Sequence, residues 1–252
     1  MVPRKLLITG AARRIGAAIA TQLASDGWHV IIHCNHNRQS AKELCNGLLQ
    51  KGLKADVLQA DLTNADACSQ LIQEASRGEG LNALINNASL FVYDEITEFS
   101  TQTLQSHMAV NVAAPAILTA EFAKNISYDN QGCVINLLDS KLFGLNPDYF
   151  TYTLSKAALQ NFGILAAQAF APKLRVNSIA PGITLPSGGQ TQEEFEKSHQ
   201  RNLLGKGADT EDIVAAARLI LSTRSMTGET IILDGGAHLR PLPRDVAFMR
   251  DN

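Results

Sequence analysis

The regular alternation of short apolar runs with longer amphipathic segments constrains this chain more than any other feature. Runs at 5–9, 29–33, 55–59, 83–86, 134–137, 176–180 and 230–233 have the length and apolar character of buried strands. Between them, 15–25, 40–50, 65–77, 101–122, 152–170 and 211–222 read as helices, the fourth with a break expected near Asn111. Strand and helix in alternation imply right-handed βαβ crossovers. The expected fold is therefore a doubly wound α/β Rossmann fold, a parallel sheet of about seven strands with helices on both faces. Ligands of such sheets sit outside the carboxyl ends of the strands. With 252 residues, no linker rich in Pro, Gly or Ser and no internal repeat, one domain over 1–252 is expected. The stretch at about 182–209, which begins near Pro186-Ser187-Gly188-Gly189, has no clear pattern. It reads either as a mobile lid over a substrate or as a surface insertion.

Charge and cysteine content narrow the function classes. A formal net charge of −2 gives no electrostatic footprint for nucleic acid, so no such partner is expected. No run of about 18 apolar residues occurs, and residues 1–9 lack the pattern of a secretory signal. No membrane contact and a cytoplasmic location are the expectations. Cys34, Cys45, Cys68 and Cys133 have neither metal-type nor redox-type spacing, and His33 and His36 lack a third ligand in any motif. No metal is expected.

The first strand leads directly into Thr9-Gly10-Ala11-Ala12-Arg13-Arg14-Ile15-Gly16, which opens the first helix. That context suits a phosphate-binding turn. Gly10 permits the tight turn, Gly16 close packing, and the helix N-terminus offers N–H groups to a pyrophosphate. An NAD-selective site commonly carries an acidic residue at the end of the second strand. Here the segment reads His33-Cys34-Asn35-His36-Asn37-Arg38, which with Arg13 would surround a 2′-phosphate with donors and positive charge. NADPH is favoured as cofactor. Asp61 and Leu62 would bracket an adenine, or Asp61 would cap the next helix. Asn86, Asn87, Ala88 and Ser89 end the fourth strand with small residues that let backbone approach the cofactor.

Tyr152 and Lys156 lie four residues apart on a helix and so share a face. An ammonium near a phenol would stabilise the phenolate and bring it toward a useful proton donor.

In order, the glycine turn, Asn86-Asn87-Ala88, Asn111, Tyr152-Thr-Leu-Ser-Lys156, Pro181-Gly182 and Asp234-Gly235-Gly236 resemble the short-chain dehydrogenases/reductases over essentially the whole chain. The resemblance implies that Asn111 holds a water in a proton relay. It also implies that Lys156 bonds the nicotinamide ribose and that Pro181 and Gly182 meet the nicotinamide. Three positions depart from the common pattern: Arg14 replaces the usual middle glycine, Asp139 stands where a serine usually assists carbonyl reduction, and Ser89 replaces a glycine. All three resemble the pteridine reductases, including the branch acting on dihydromonapterin or dihydrofolate. Reducing a ring C=N bond requires protonation of nitrogen, which suits a carboxylic acid coupled to a tyrosine. Burial would raise the pKa of Asp139 whereas Lys156 and Arg14 would oppose the rise, leaving its net direction open.

By the same resemblance Phe91 would stack on the pterin, unless it is simply core. Arg14 and Ser89 would contact the pterin or the cofactor phosphates. The substrate implied is a small-molecule pterin or folate, and the assembly implied is a homotetramer. Arg240 in the tail would act in trans, or the terminus would be disordered. The rival readings are a carbonyl reductase of the same superfamily, such as a 3-oxoacyl-carrier-protein reductase, and a catalytically silent NADP-binding regulator.

Overall fold

The computed structural model describes residues 4–126, 131–186 and 190–248. Its centre is one seven-stranded, wholly parallel sheet. In chain order the strands are β1 (Lys5–Ile8), β2 (His29–Cys34), β3 (Ala55–Gln59), β4 (Ala83–Asn86), β5 (Gly132–Leu137), β6 (Leu174–Pro181) and β7 (Thr230–Leu233). The spatial order β3-β2-β1-β4-β5-β6-β7 reverses direction between β1 and β4. That reversal opens a crevice at the carboxyl ends, where a parallel sheet of this kind binds ligands.

Alternation along each strand builds two cores. Leu6 and Ile8 of β1 face a layer of α1 (Arg14–Ser25), α2 (Arg38–Gln50) and α8 (Thr210–Ser222). Leu7 faces the opposite layer, α3 (Ala65–Ala75), α5 (Ala114–Asn125) and α6 (Phe150–Phe170). Side chains of successive strand residues point to opposite faces, so near-continuous apolar strands require helices on both sides. Among the described residues no helix is long and apolar enough to cross a membrane.

The expected break near Asn111 is a π-turn, Ala109–Ala113, between α4 (Thr101–Met108) and α5. Its cause is legible in the sequence. Pro115 lacks the N–H that the Asn111 carbonyl would accept in a regular α-helix, and its ring crowds that carbonyl. The chain widens instead of stopping. Two other expectations need correction. The 182–209 stretch contains a helix, α7 (Gln192–His199), opened by a capping box in which Thr191 and Glu194 satisfy each other's backbone N–H groups. The helix carrying Tyr152 starts at Phe150, because the Asp94 backbone carbonyl takes the Phe150 N–H and its carboxylate takes the Thr151 N–H at 2.9 Å. Ser187, Gly188 and Gly189 lie outside the described residues.

Candidate active site

A cleft of about 1140 Å³ runs along the carboxyl ends of the strands, from the β1–α1 turn to the C-terminal segment. Its two ends are built from different materials.

At the β1 end the backbone is held close by small residues. Gly10 has φ +62°, and a Cβ there would approach the Ala88 Cα to 3.0 Å. A Cβ on Gly16 would lie 2.6 Å from Asn87 Nδ2 and 2.7 Å from the Gly10 oxygen. Asn87 Nδ2 donates to the Thr9 and Gly10 carbonyls, while the Asn87 and Ala88 N–H groups donate to Thr9 Oγ1. The β4 end and the glycine turn therefore fix each other. Arg13 stands at the N-cap of α1 without a side-chain capping bond, as do the residues that open α2, α5 and α6. The first N–H groups of α1 are left for a ligand. Arg14 adopts φ 56°, keeping the left-handed turn where glycine is usual, and its Nη1 donates to the Pro186 carbonyl at 2.8 Å.

At the other end the groups are ionisable, with Tyr152 and Lys156 buried and Asp139 half-buried. The Tyr152 hydroxyl donates to Asp139 Oδ2 at 2.8 Å. Asp139 Oδ1 accepts from the Lys141 N–H at 2.9 Å, which fixes the carboxylate's orientation. Lys156 Nζ donates to the Leu137 carbonyl at 2.7 Å. Burial pushes the Asp139 carboxyl above the usual carboxylate range, against the opposing pull of the Lys141 N–H, the Tyr152 hydroxyl and the two lysines. The direction left open by the sequence is therefore upward. Burial and the Asp139 charge raise the Tyr152 phenol well above its ordinary value, and burial lowers Lys156 to about 8.

This corrects the expectation that Lys156 depresses the tyrosine. A carboxylate is bonded directly to the phenol, whereas Lys156 Nζ lies 5.7 Å from the ring centroid and is bonded elsewhere. The phenol and carboxyl form a coupled acid pair whose protonated forms are favoured by burial.

The family profile described as Enoyl-(Acyl carrier protein) reductase matches residues 10–238. The chain belongs to this family. It is a branch of the short-chain dehydrogenases/reductases. The structure of FolM alternative dihydrofolate reductase 1 from Brucella suis in complex with NADP superposes with a TM-score of 0.90 at 40% identity, covering 94% of this chain and 95% of that one. The corresponding protein of Brucella canis, also complexed with NADP, gives a TM-score of 0.90 at 40% identity, covering 94% of each chain. A dihydromonapterin reductase of Escherichia coli is 27% identical over 241 residues, 94% of this chain and 98% of the relative.

Most of the short-chain dehydrogenase/reductase positions expected from sequence meet in the cleft. Gly10, Arg13, Arg14, Ile15, Gly16, Asn35, His36, Asp61, Leu62, Asn87, Ala88, Ser89, Phe91, Asp139, Tyr152, Lys156, Pro181 and Gly182 all line it. Four need revision. His33 reaches the cleft wall, but its ring is spent internally. Nδ1 accepts the Gly10 N–H at 3.1 Å and Nε2 donates to the Ala60 carbonyl at 3.1 Å, while burial lowers its pKa to about 4. It is a neutral pin under the glycine turn and adds no positive charge. Arg38 opens α2 and is not among the lining residues. Asn111 is fully buried behind the cleft. Its Oδ1 accepts from the Leu90 N–H at 2.7 Å and its Nδ2 donates to the Leu90 carbonyl and Ser155 Oγ, so the side chain holds the β4–α4 loop, and the expected water relay is left to its backbone carbonyl in the π-turn. Phe91 is 45% exposed, but one ring face is stacked on Tyr149 at 4.3 Å between centroids. That face is closed to a ligand.

Asp61 serves an internal turn, its Oδ1 accepting from the Thr63 N–H and hydroxyl; Asn64 caps α3. Ser89 Oγ lies 3.3 Å from Asn111 Oδ1. Arg240 lines its own chain's cleft, and Phe248 of the tail packs on Tyr93 at 4.7 Å. Sequence reasoning missed Lys141, Asp148, Tyr149 and the tail residues Arg244 and Asp245. No motif marks them, although the charged and aromatic character of the tail was a usable signal.

Proposed function

We propose that this chain is an NADPH-dependent pteridine reductase, which converts a dihydropterin such as dihydromonapterin, dihydrobiopterin or dihydrofolate to its tetrahydro form. One observation carries this reading: the hydrogen bond from Tyr152 to a half-buried Asp139, at the position where carbonyl reductases of the superfamily place a serine. The Brucella and Escherichia relatives named above support it.

The residues present fit the cofactor. Gly10 and Gly16 leave room that a Cβ would fill, α1 offers uncapped N–H groups, and Arg13, Asn35 and His36 line the end where a 2′-phosphate would lie. Lys156 would hold the nicotinamide ribose, with Pro181 and Gly182 against the ring. When bound, the reduced nicotinamide supplies the hydride.

The protein's own share of the reaction is the proton. Tyr152 donates its hydroxyl proton to the ring nitrogen of the C=N bond, Asp139, bonded to the same hydroxyl, returns a proton to the phenolate, and solvent restores the proton on Asp139. The sum is one hydride on carbon and one proton on nitrogen. Because the pair must enter the reaction protonated and burial holds Asp139 above the usual carboxylate range, turnover falls as pH rises through the pair's apparent pKa. On this reading the enzyme acts as a cytoplasmic homotetramer.

Loss of NADPH absorbance is to be followed with dihydromonapterin, dihydrobiopterin, dihydrofolate, an acetoacetyl thioester and an enoyl thioester offered in parallel. Turnover of pterins is the expected result. Turnover confined to a thioester would keep the family and discard the substrate.

A further inference from the structure

The C-terminal segment touches the acid pair by two routes. Asp148, 2% exposed by side chain, receives a clasp from it: Arg244 Nε donates to both carboxylate oxygens at 2.8 and 2.9 Å, Arg244 Nη2 lies 2.6 Å away, and the Asp245 N–H donates at 2.6 Å. The first route runs through Lys141. Its ammonium donates to the Asp148 carbonyl and lies 4.0 Å from Asp245 Oδ2, while its backbone N–H holds Asp139 Oδ1. The second is aromatic. Phe248 packs on Tyr93, Tyr93 meets the edge of Tyr149, Tyr149 stacks on Phe91, and Phe91 meets Tyr152 at 4.7 Å.

Resting on the pteridine reductase reading, we propose that Lys141 is a positioning residue for the proton donor and that the C-terminal segment, clasped on Asp148, holds it in place through Asp245. Lys141 lies in the short turn Ser140–Phe143 immediately after Asp139, so one residue both orients the carboxylate and carries a cation that acts on it from outside α6. Asp245 offsets that cation. The tail thereby sets how much positive charge the acid pair feels.

The charged surroundings of the pair are few enough for the sign to be worked out. From α6 it faces Lys156, and from the 140–143 turn Lys141. From the tail Asp245 acts on Tyr152, with Arg244 committed to Asp148. His107 of α4 lies 6.1 Å from the Tyr152 ring; burial lowers its pKa, and its Nδ1 is bonded to Thr151. From the turn after β7, His238 is bonded to Asp234. Removing the Lys141 cation takes away a stabiliser of the Asp139 carboxylate and raises the pair's apparent pKa. Removing the Asp245 anion leaves Lys141 less compensated and lowers it.

The test is the pH profile of kcat for full-length wild type, Lys141→Met, Lys141→Arg and Asp245→Asn, with NADPH binding measured separately as a check on folding. The alkaline limb is expected to move up by about half a unit or more in Lys141→Met and down by a similar amount in Asp245→Asn. Lys141→Arg should restore the wild-type limb. KM for the pterin should change less than kcat at fixed pH. Shifts in the same direction, or unmoved limbs with intact NADPH binding, would overturn the proposal while leaving pterin turnover by the wild type, and hence the substrate reading, standing. Arg244→Ala provides a second arm. It removes the guanidinium from the clasp while Lys141 and Asp245 stay in the chain; the limb should move down as Asp245 loses its hold on Lys141, and an unchanged limb would exclude Arg244 as the holder.

Discussion

The two ends of the cleft do the same job, holding a ligand in register, by opposite physical means. Around Gly10 and Gly16 the work is done by backbone N–H groups and small side chains, and the His33 imidazole beneath the turn is held uncharged. Around Asp139 and Tyr152 it is done by ionisable groups that shift one another. A steric cradle tolerates no added atoms, and this one feels pH only where His33 gains a charge. Coupled acids are sensitive to every charge within several ångströms and retune when one is removed. A phosphate binder needs the first property, a proton donor the second.

The contrast can be broken most forcefully at Tyr152. Tyr152→Phe should lower kcat by about 10³-fold with NADPH affinity unchanged, because the lost hydroxyl belongs only to the acid end. Full activity in that variant, measured by steady-state NADPH oxidation, would remove the phenol from the mechanism. Asp139→Ser should reduce pterin turnover by roughly 10²-fold, again without weakening the cofactor. Equal rates for variant and wild type would sink the role given to the carboxyl.

Gly16→Ala should behave in the reverse sense. Its new Cβ meets Asn87 Nδ2 at 2.6 Å and the Gly10 oxygen at 2.7 Å, so overpacking should cost up to about 3 kcal/mol in stability or cofactor binding. Thermal unfolding and NADPH titration would check it, and unaltered values would show that the turn can yield. A smaller effect tests the neutral pin. The folded-state pKa of His33 is lowered from 6.5 to about 4, so its contribution is complete above the unfolded value and is lost as pH falls toward the folded one. Stability should drop by about 2 kcal/mol from this group by about pH 5. Urea midpoints across that window should fall less steeply in His33→Gln; identical slopes would place the titration elsewhere.

How much was legible followed from how local each feature is. The strands, the glycine turn and the break at Asn111 were readable because their causes lie within a few residues, Pro115 for the last of these. The helix at 192–199 was equally local, announced by Thr191 and Glu194, and went unread. His33 was misread as a charge because its neutrality depends on burial and on Gly10 and Ala60, which sequence spacing does not convey. That Tyr149 covers one face of Phe91 could not be read either, because nothing in the chain order announces the contact.

By itself the sequence determined the parallel sheet, the family and the identity of the acid pair, since apolar periodicity and motif order are properties of the linear chain. Only the tertiary structure decided the direction of the Asp139 shift, the neutrality of His33 and the return of the tail onto Asp148. Those depend on which groups are excluded from water together, and desolvation and charge coupling act through space between residues as distant as 139 and 245.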